Sequence, residues 1–213
     1  YPKPIESDLA ACESAGVDLV FCPEVADMYP PDSTTKVHVS RLTDGLCGAH
    51  RPGHFDGVTT IVAKLFNIVP ASAAFFGEKD FQQLRVIQQM VRDLDLPIEI
   101  VPCPTIREPD GLAISSRNAY LTPNQRDQAL SLSSAMREAA DRAHGGESDV
   151  ASLIEQVKRR IREADDAEIE YVAIVDPATL EPLDHLGGQA RICLAVRIGS
   201  CRLIDNMALG ASD

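Results

Sequence analysis

The stretch ASAAFFGEKDFQQLRVIQQMVRDLDLPIEIV, residues 71–101, decides the fold. Ala71–Phe76 is short and nearly all apolar, which suits a strand covered on both faces. Behind it Phe81, Leu84, Ile87, Val91 and Leu94 recur at intervals of three and four residues, so Asp80–Leu94 reads as an amphipathic helix that stops before Pro97. Ile98–Val101 is a second apolar run of strand length. Strand, helix and strand in this order place two parallel strands side by side, joined by a right-handed helical crossover.

Toward the N-terminus the pattern continues. Phe55, Val58, Val62, Leu65, Phe66 and Val69 fall at helical spacing, which predicts a helix over Phe55–Ile68. Ahead of it Leu46–Gly53 is a glycine-rich loop, Lys36–Ser40 is a candidate strand, and Pro30–Thr35 is a turn-forming stretch. Val17–Cys22, closed by Pro23, is another strand candidate after a short helix at Glu6–Ser14. The abrupt opening Tyr1–Pro4, without methionine, leads to the expectation that an N-terminal portion precedes it.

Toward the C-terminus the pattern changes. The proline-rich stretch Pro102–Pro109 reads as a domain boundary, dividing the chain into 1–105 and 106–213. Thr122-Pro123-Asn124-Gln125 carries a threonine cap, a proline at the first helical position and a glutamine three residues after the cap, so a helix starts there and runs to about His144 before Gly145-Gly146. A second helix is expected from about Asp149 to Ala164, then strands at Ile169–Val175, Arg191–Val196 and, shorter, Arg202–Ile204. The fold class is therefore α/β with a parallel sheet, followed by a smaller α+β domain.

Composition narrows the function. Of 213 residues 45% are hydrophobic, enough for a real core, and no run approaches the roughly eighteen apolar residues of a membrane span. With no signal-peptide pattern, the expected compartment is the cytoplasm and no membrane partner is expected. A net charge of -12, from 32 acids against 20 bases, repels polyanions, so no nucleic acid is expected. A small anion needs only a local cluster of donors. Six scattered cysteines form no CxxC pair and no zinc spacing, so free thiols are favoured over a Cys193–Cys201 bridge, and no protein-held metal is expected.

Ligands of open parallel sheets bind beyond the carboxyl ends of the strands, where helix N-termini offer free amides. Gly77-Glu78-Lys79-Asp80 stands at such a place. The glycine permits close backbone approach, the lysine can neutralise a phosphate, and the aspartate can accept from ribose hydroxyls. Gln83, three residues past Asp80, can project from the same helical face. Alone, the motif is more commonly a surface ion pair with Asp80 as an N-cap.

DGLAISSRN, residues 110–118, supplies two hydroxyls and an arginine, Ser115, Ser116 and Arg117, able to wrap a triphosphate; an exposed turn is the competing reading. CGAHRPGHF, residues 47–55, is equally a mobile solvent loop or a closing loop whose Arg51 meets a carboxylate and whose His54 opens the next helix.

Together GEKDFQQL, RPGHFDGV, DGLAISSRNAYLTPNQR and RLIDNM closely resemble the pantothenate synthetase, or pantoate-beta-alanine ligase, family, in the same order and separation from Tyr1 to about Ala208. The resemblance implies a Rossmann-like nucleotidyltransferase sheet with a C-terminal lid, a homodimer, and ligation of pantoate to beta-alanine with ATP and magnesium through a pantoyl adenylate. By motif it implies that Gly77, Glu78, Lys79 and Asp80 bind ATP, with Lys79 on the phosphates and Asp80 on the ribose, that Gln83 holds pantoate, and that Ile106 lies against adenine. It makes Ile114, Ser115, Ser116 and Arg117 the relative of the KMSKS loop of class I aminoacyl-tRNA synthetases. Arg51 and His54 fall in the gate region, Arg51 toward the beta-alanine carboxylate. Ile114 stands where many members carry methionine or leucine. The family opens with a strand and an MGxLHxGH loop that this chain lacks, and His50-x-x-Gly53-His54 does not replace it. The sheet is thus expected to be truncated at its N-terminal side, with weak nucleotide affinity if that unit is absent. Two alternatives stand beside this reading: an adenylate-forming enzyme of another specificity, and a non-catalytic nucleotide-binding or dimerisation module.

Overall fold

The computed structural model describes residues 5–210; the opening Tyr1–Pro4 lies outside the described residues. The chain forms two compact units, Tyr1–Thr35 and Lys36–Asp213. In the first, helix α1 spans Ile5–Ser14 and buries none of its side chains, and a single turn, α2, spans Val25–Met28. Val17–Cys22 is not a strand. Its backbone finds no ladder partner among the described residues, and Leu19 is 83% exposed. An apolar run supplies strand propensity, but a strand exists only beside another.

In the second unit α3 (Cys47–His50) is a single helical turn within the glycine-rich loop, and α4 (His54–Ile68) follows a left-handed Gly53. Strand β1 (Ala73–Gly77) leads through a 3-10 turn at Glu78–Asp80 into α5 (Phe81–Asp93), and β2 (Glu99–Cys103) returns parallel to β1 with Ala73 opposite Glu99 and Gly77 opposite Cys103. Lys36–Ser40 is not a strand either. Side chains of α4 occupy its backbone groups instead: Thr60 Oγ1 accepts from the Val37 amide at 3.0 Å and Thr59 Oγ1 donates to the Val37 carbonyl at 2.6 Å. The polar groups of the segment are thus satisfied without a neighbouring strand.

Helix α6 (Pro123–His144) begins with the expected capping box, Thr122 Oγ1 accepting from the Gln125 amide and Gln125 Oε1 from the Thr122 amide. Helix α7 (Val150–Ile161) is capped by Asp149. The antiparallel strands β3 (Ala167–Val175), β4 (Ala190–Ile198) and β5 (Cys201–Leu209) follow in spatial order. β5 extends over nine residues, well beyond the expected Arg202–Ile204, because Asp205 and Asn206 interrupt its apolar pattern while still being buried.

β4 sits between two cores. Ile192, Leu194, Val196 and Ile198 pack with α6 and α7, whereas Cys193 on the opposite face joins Val175 and Leu180 in the cluster of Phe55, Phe81, Leu84 and Ile87. That explains its almost uninterrupted apolar sequence, and it fastens the antiparallel sheet to the helices of the parallel part. All six cysteines are free; the β4–β5 register sets Cys193 opposite Asn206 and Cys201 opposite Ile198, so Cys193 and Cys201 are not cross-strand partners.

Candidate active site

Gly77 closes β1 at its carboxyl end, and the chain turns at once through Glu78-Lys79-Asp80. Asp80 flanks α5 but caps none of its amides with its side chain, so the carboxylate, on an exposed residue, is not spent as an N-cap. The turn is held from the antiparallel sheet: Asn206 Nδ2 donates to the Glu78 and Lys79 carbonyls, both at 2.9 Å.

The second segment is a small hairpin. Arg107 and Ala113 pair across it, the Ile114 amide donates to the Ile106 carbonyl at 3.0 Å, and Gly111 turns the chain with φ 96°. Arg126 of α6 grips it through Glu108 at 2.5 Å and Asp110 at 2.6 Å. Ser115 then caps the 3-10 turn Ser116–Tyr120, its Oγ accepting from the Arg117 amide.

Lys79, Ser115 and Arg117 line one narrow crevice together with Arg202 and Asp205 of β5. The two motifs, widely separated in sequence, meet there. Arg117 Nη1 donates to the Arg202 carbonyl at 3.2 Å, which turns its guanidinium toward β5. Ser116 is exposed beside the crevice. Ile106 and Ile114, 65% and 54% exposed, stand as neighbours on the outside of the hairpin, an apolar pair open to a flat ligand.

The segment of Arg51 and His54 lies within electrostatic reach of Asp80, Arg117 and Arg202. His54 opens α4, with Arg51 Nη1 donating to its Nε2 at 3.3 Å. Its pKa lies below the usual 6.5, first through burial and then through the charges of Arg51, Arg202 and Arg117, with Asp80 opposing. His54 is therefore neutral at pH 7, an acceptor that can orient Arg51. Gln83 is half-buried on α5 and does not line the crevice.

Sequence reasoning passed over its neighbour. Gln82 is buried: Nε2 donates to the Leu42 and Gly45 carbonyls and Oε1 accepts from the Cys47 amide, all at 2.9 Å. It fixes the base of the glycine-rich loop, where Arg41 and Leu46 have positive φ, 66° and 51°. The one sequence signal was its helical phase, four residues before Val86 and eight before Met90, both fully buried. Arg202 was also missed; its guanidinium meets Glu170 Oε2 at 2.8 Å and Cys47 Sγ at 3.5 Å, while Cys47 Sγ lies 3.2 Å from the Tyr171 hydroxyl.

A glycine-ended parallel strand, a turn that brings Lys79 to its carboxyl end, and a hairpin that leads into Ser115 and Arg117 at the same crevice define an α/β protein of the Rossmann-like nucleotidyltransferase type. A family model described as pantoate-beta-alanine ligase matches residues 1–208. The chain belongs to the pantoate-beta-alanine ligase family. It is 51% identical over 213 residues to the pantothenate synthetase of Moorella thermoacetica, covering 100% of this chain and 75% of that protein. Over 209 residues it is 52% identical to that of Heliobacterium modesticaldum, covering 98% of this chain and 74% of that one. The crystal structure of pantothenate synthetase from Thermus thermophilus superposes with a TM-score of 0.93 at 47% identity, over 97% of this chain and 75% of the other. A pantoate-beta-alanine ligase from Francisella tularensis, solved with beta-gamma ATP and beta-alanine, gives 0.79 at 33% identity, over 97% and 70%. These relatives do not favour the other specificity or the non-catalytic module.

Proposed function

We propose that this chain is an AMP-forming ligase that joins pantoate to beta-alanine at the expense of ATP. The observation that carries the reading is the shared crevice of Lys79, Ser115 and Arg117, a set of a cation, a hydroxyl and a forked guanidinium from two segments. In the first step a pantoate carboxylate oxygen attacks the α-phosphorus, the bond to the bridging oxygen of the β-phosphate breaks, and pyrophosphate leaves with that electron pair. Lys79 and Arg117, with the Ser115 and Ser116 hydroxyls, offset the charge that builds on the phosphates. In the second step the beta-alanine amine attacks the acyl carbon, the bond from that carbon to the phosphate oxygen breaks, AMP departs and the nitrogen loses a proton.

Each remaining residue has a part in this reading. Gly77 and Glu78 present backbone to the nucleotide, Asp80 accepts from the ribose, and Ile106 and Ile114 cover adenine. Gln83 holds pantoate, and Arg51, steadied by neutral His54, receives the beta-alanine carboxylate. Magnesium accompanies the nucleotide in this reading, as the family resemblance implies, held mainly through the phosphates. Residues 1–105 act as the nucleotide- and pantoate-binding part and 106–213 as the lid. We assign the enzyme to the cytoplasm as a homodimer on the family resemblance; no helix of the described residues is long and apolar enough to cross a membrane.

The test is exchange of labelled pyrophosphate into ATP by the purified chain. Exchange that requires pantoate and is not supported by amino acids is expected. Exchange with an amino acid in place of pantoate would overturn the assignment.

A further inference from the structure

Asp205 and Asn206 are neighbours on β5, 6% and 5% exposed, and neither belongs to the two motifs they hold. Asn206 uses its whole amide. Nδ2 donates to the Glu78 and Lys79 carbonyls, and Oδ1 accepts from Arg191 Nη1 at 2.6 Å. That pattern admits only one orientation, because a flipped amide would set Oδ1 against two carbonyl oxygens. Arg191 is itself fixed, 3.9 Å above the Phe81 ring and 3.5 Å from Glu78 Oε2.

Asp205 holds the other segment. Its carboxylate receives both arms of Arg107 at 2.7 Å and 2.9 Å, and Arg107 Nη1 also donates to the Gly111 carbonyl at 3.2 Å. Arg107 belongs to the hairpin that leads into Ser115. A forked guanidinium–carboxylate pair fixes direction as well as distance. The Asp205 carboxylate additionally accepts from the Asn206 backbone N–H at 2.8 Å, which ties the two supports to each other.

We propose that Asp205 and Asn206 are positioning residues for the ligase reaction, setting the separation between Lys79 and the Ser115–Arg117 turn so that one triphosphate can be gripped from both sides. The inference rests on the proposed ATP-dependent function. The strand is a rigid bar with one phosphate-binding segment fixed at each of two adjacent residues, so a ligand that needs both segments senses any change in their spacing. Beta-alanine, received by the gate through Arg51, does not bridge the two segments and senses none.

Asn206→Asp replaces the amide donors with a carboxylate facing two carbonyls. The Kd for ATP, measured by calorimetry, is expected to rise about tenfold or more, as for loss of two buried hydrogen bonds, and the KM for ATP to rise with it, while the KM for beta-alanine stays unchanged. A merely structural role would lower the folded fraction and leave both KM values alone. Arg107→Lys, which keeps the charge and loses the fork, is the second arm and is expected to raise the Kd for ATP about threefold or more. Unchanged ATP affinity in a folded Asn206→Asp chain overturns the inference, as does unchanged affinity in Arg107→Lys if Asn206→Asp does not fold. A wild-type chain that binds no ATP overturns the functional reading itself, and the inference falls with it.

Discussion

Gln82 holds Cys47 by its backbone, the Cys47 amide donating to Gln82 Oε1 at 2.9 Å, across 35 residues of sequence. The same side chain holds the Leu42 and Gly45 carbonyls, so a helix that carries the Glu78-Lys79-Asp80 turn at its start also carries the root of the glycine-rich loop. With the positive φ of Leu46 in the held segment, the root is kept in a conformation it would not adopt by itself.

Gln82→Ala should therefore release the loop before it harms the core. We expect a loss of about 3 kcal/mol or more in unfolding free energy, at about 1–3 kcal/mol for each backbone group left without its partner and less where water reaches it. Limited proteolysis should show new cleavage between residues 42 and 54. Unaltered cleavage there would refute the anchoring role.

Gly48→Ala tests the same loop from the other side. A Cβ at Gly48 would overlap the Thr43 carbonyl oxygen, which is backbone and cannot swing aside. The turn Cys47–His50 must shift, and the KM for beta-alanine is expected to rise by about tenfold, roughly the effect of an ångström-scale misplacement of Arg51. Steady-state kinetics in beta-alanine at saturating ATP reads this directly.

His54 gives a pH signature. Its folded pKa is depressed below 6.5, through burial and then the Arg51 charge. Between that lowered value and 6.5 the unfolded chain binds more protons, so the stability contributed by neutral His54 is whole above the unfolded value and disappears as pH falls through the folded one. Urea midpoints of wild type and His54→Gln, compared at about pH 5 and about pH 8, should differ in slope, the variant losing less stability on acidification. Parallel profiles would contradict this.

In the core between α6, α7 and the antiparallel sheet, Leu153 of α7 is fully buried among Val157, Ile174 and Ile192 in one cluster. Leu153→Ala should cost about 2–5 kcal/mol, the spread reflecting how far the neighbours collapse into the space. Chemical denaturation measures it, and ATP affinity of the folded protein should be little changed because the site residues lie in other elements.

The parts of the fold that could be read from sequence are those whose causes are local. The period of Phe81, Leu84 and Ile87 fixes α5, and Thr122 with Gln125 announces α6 to the residue. Val17–Cys22 and Lys36–Ser40 misled because strand propensity says nothing of whether a neighbour exists; at Val37 two threonines of a later helix took that place. The same divide runs through the site. Lys79 and Ser115–Arg117 carry their chemistry in their side chains and stood out. Gln82 and Asn206 act on backbone carbonyls up to 128 residues away, and nothing local to them records where those carbonyls will be.

The unpaired cysteines make the molecule its own reporter. Cys22 is open to solvent, whereas Cys47 lies in the loop held by Gln82 and Cys193 within the central strand of the antiparallel sheet, its thiol pushed up to about 12 mainly by burial. An alkylating reagent followed by mass spectrometry would therefore date each local opening separately. Early modification at position 47 with delay at 193 would mean that the glycine-rich loop breathes while the antiparallel sheet stays packed, and ATP should slow the first clock more than the second.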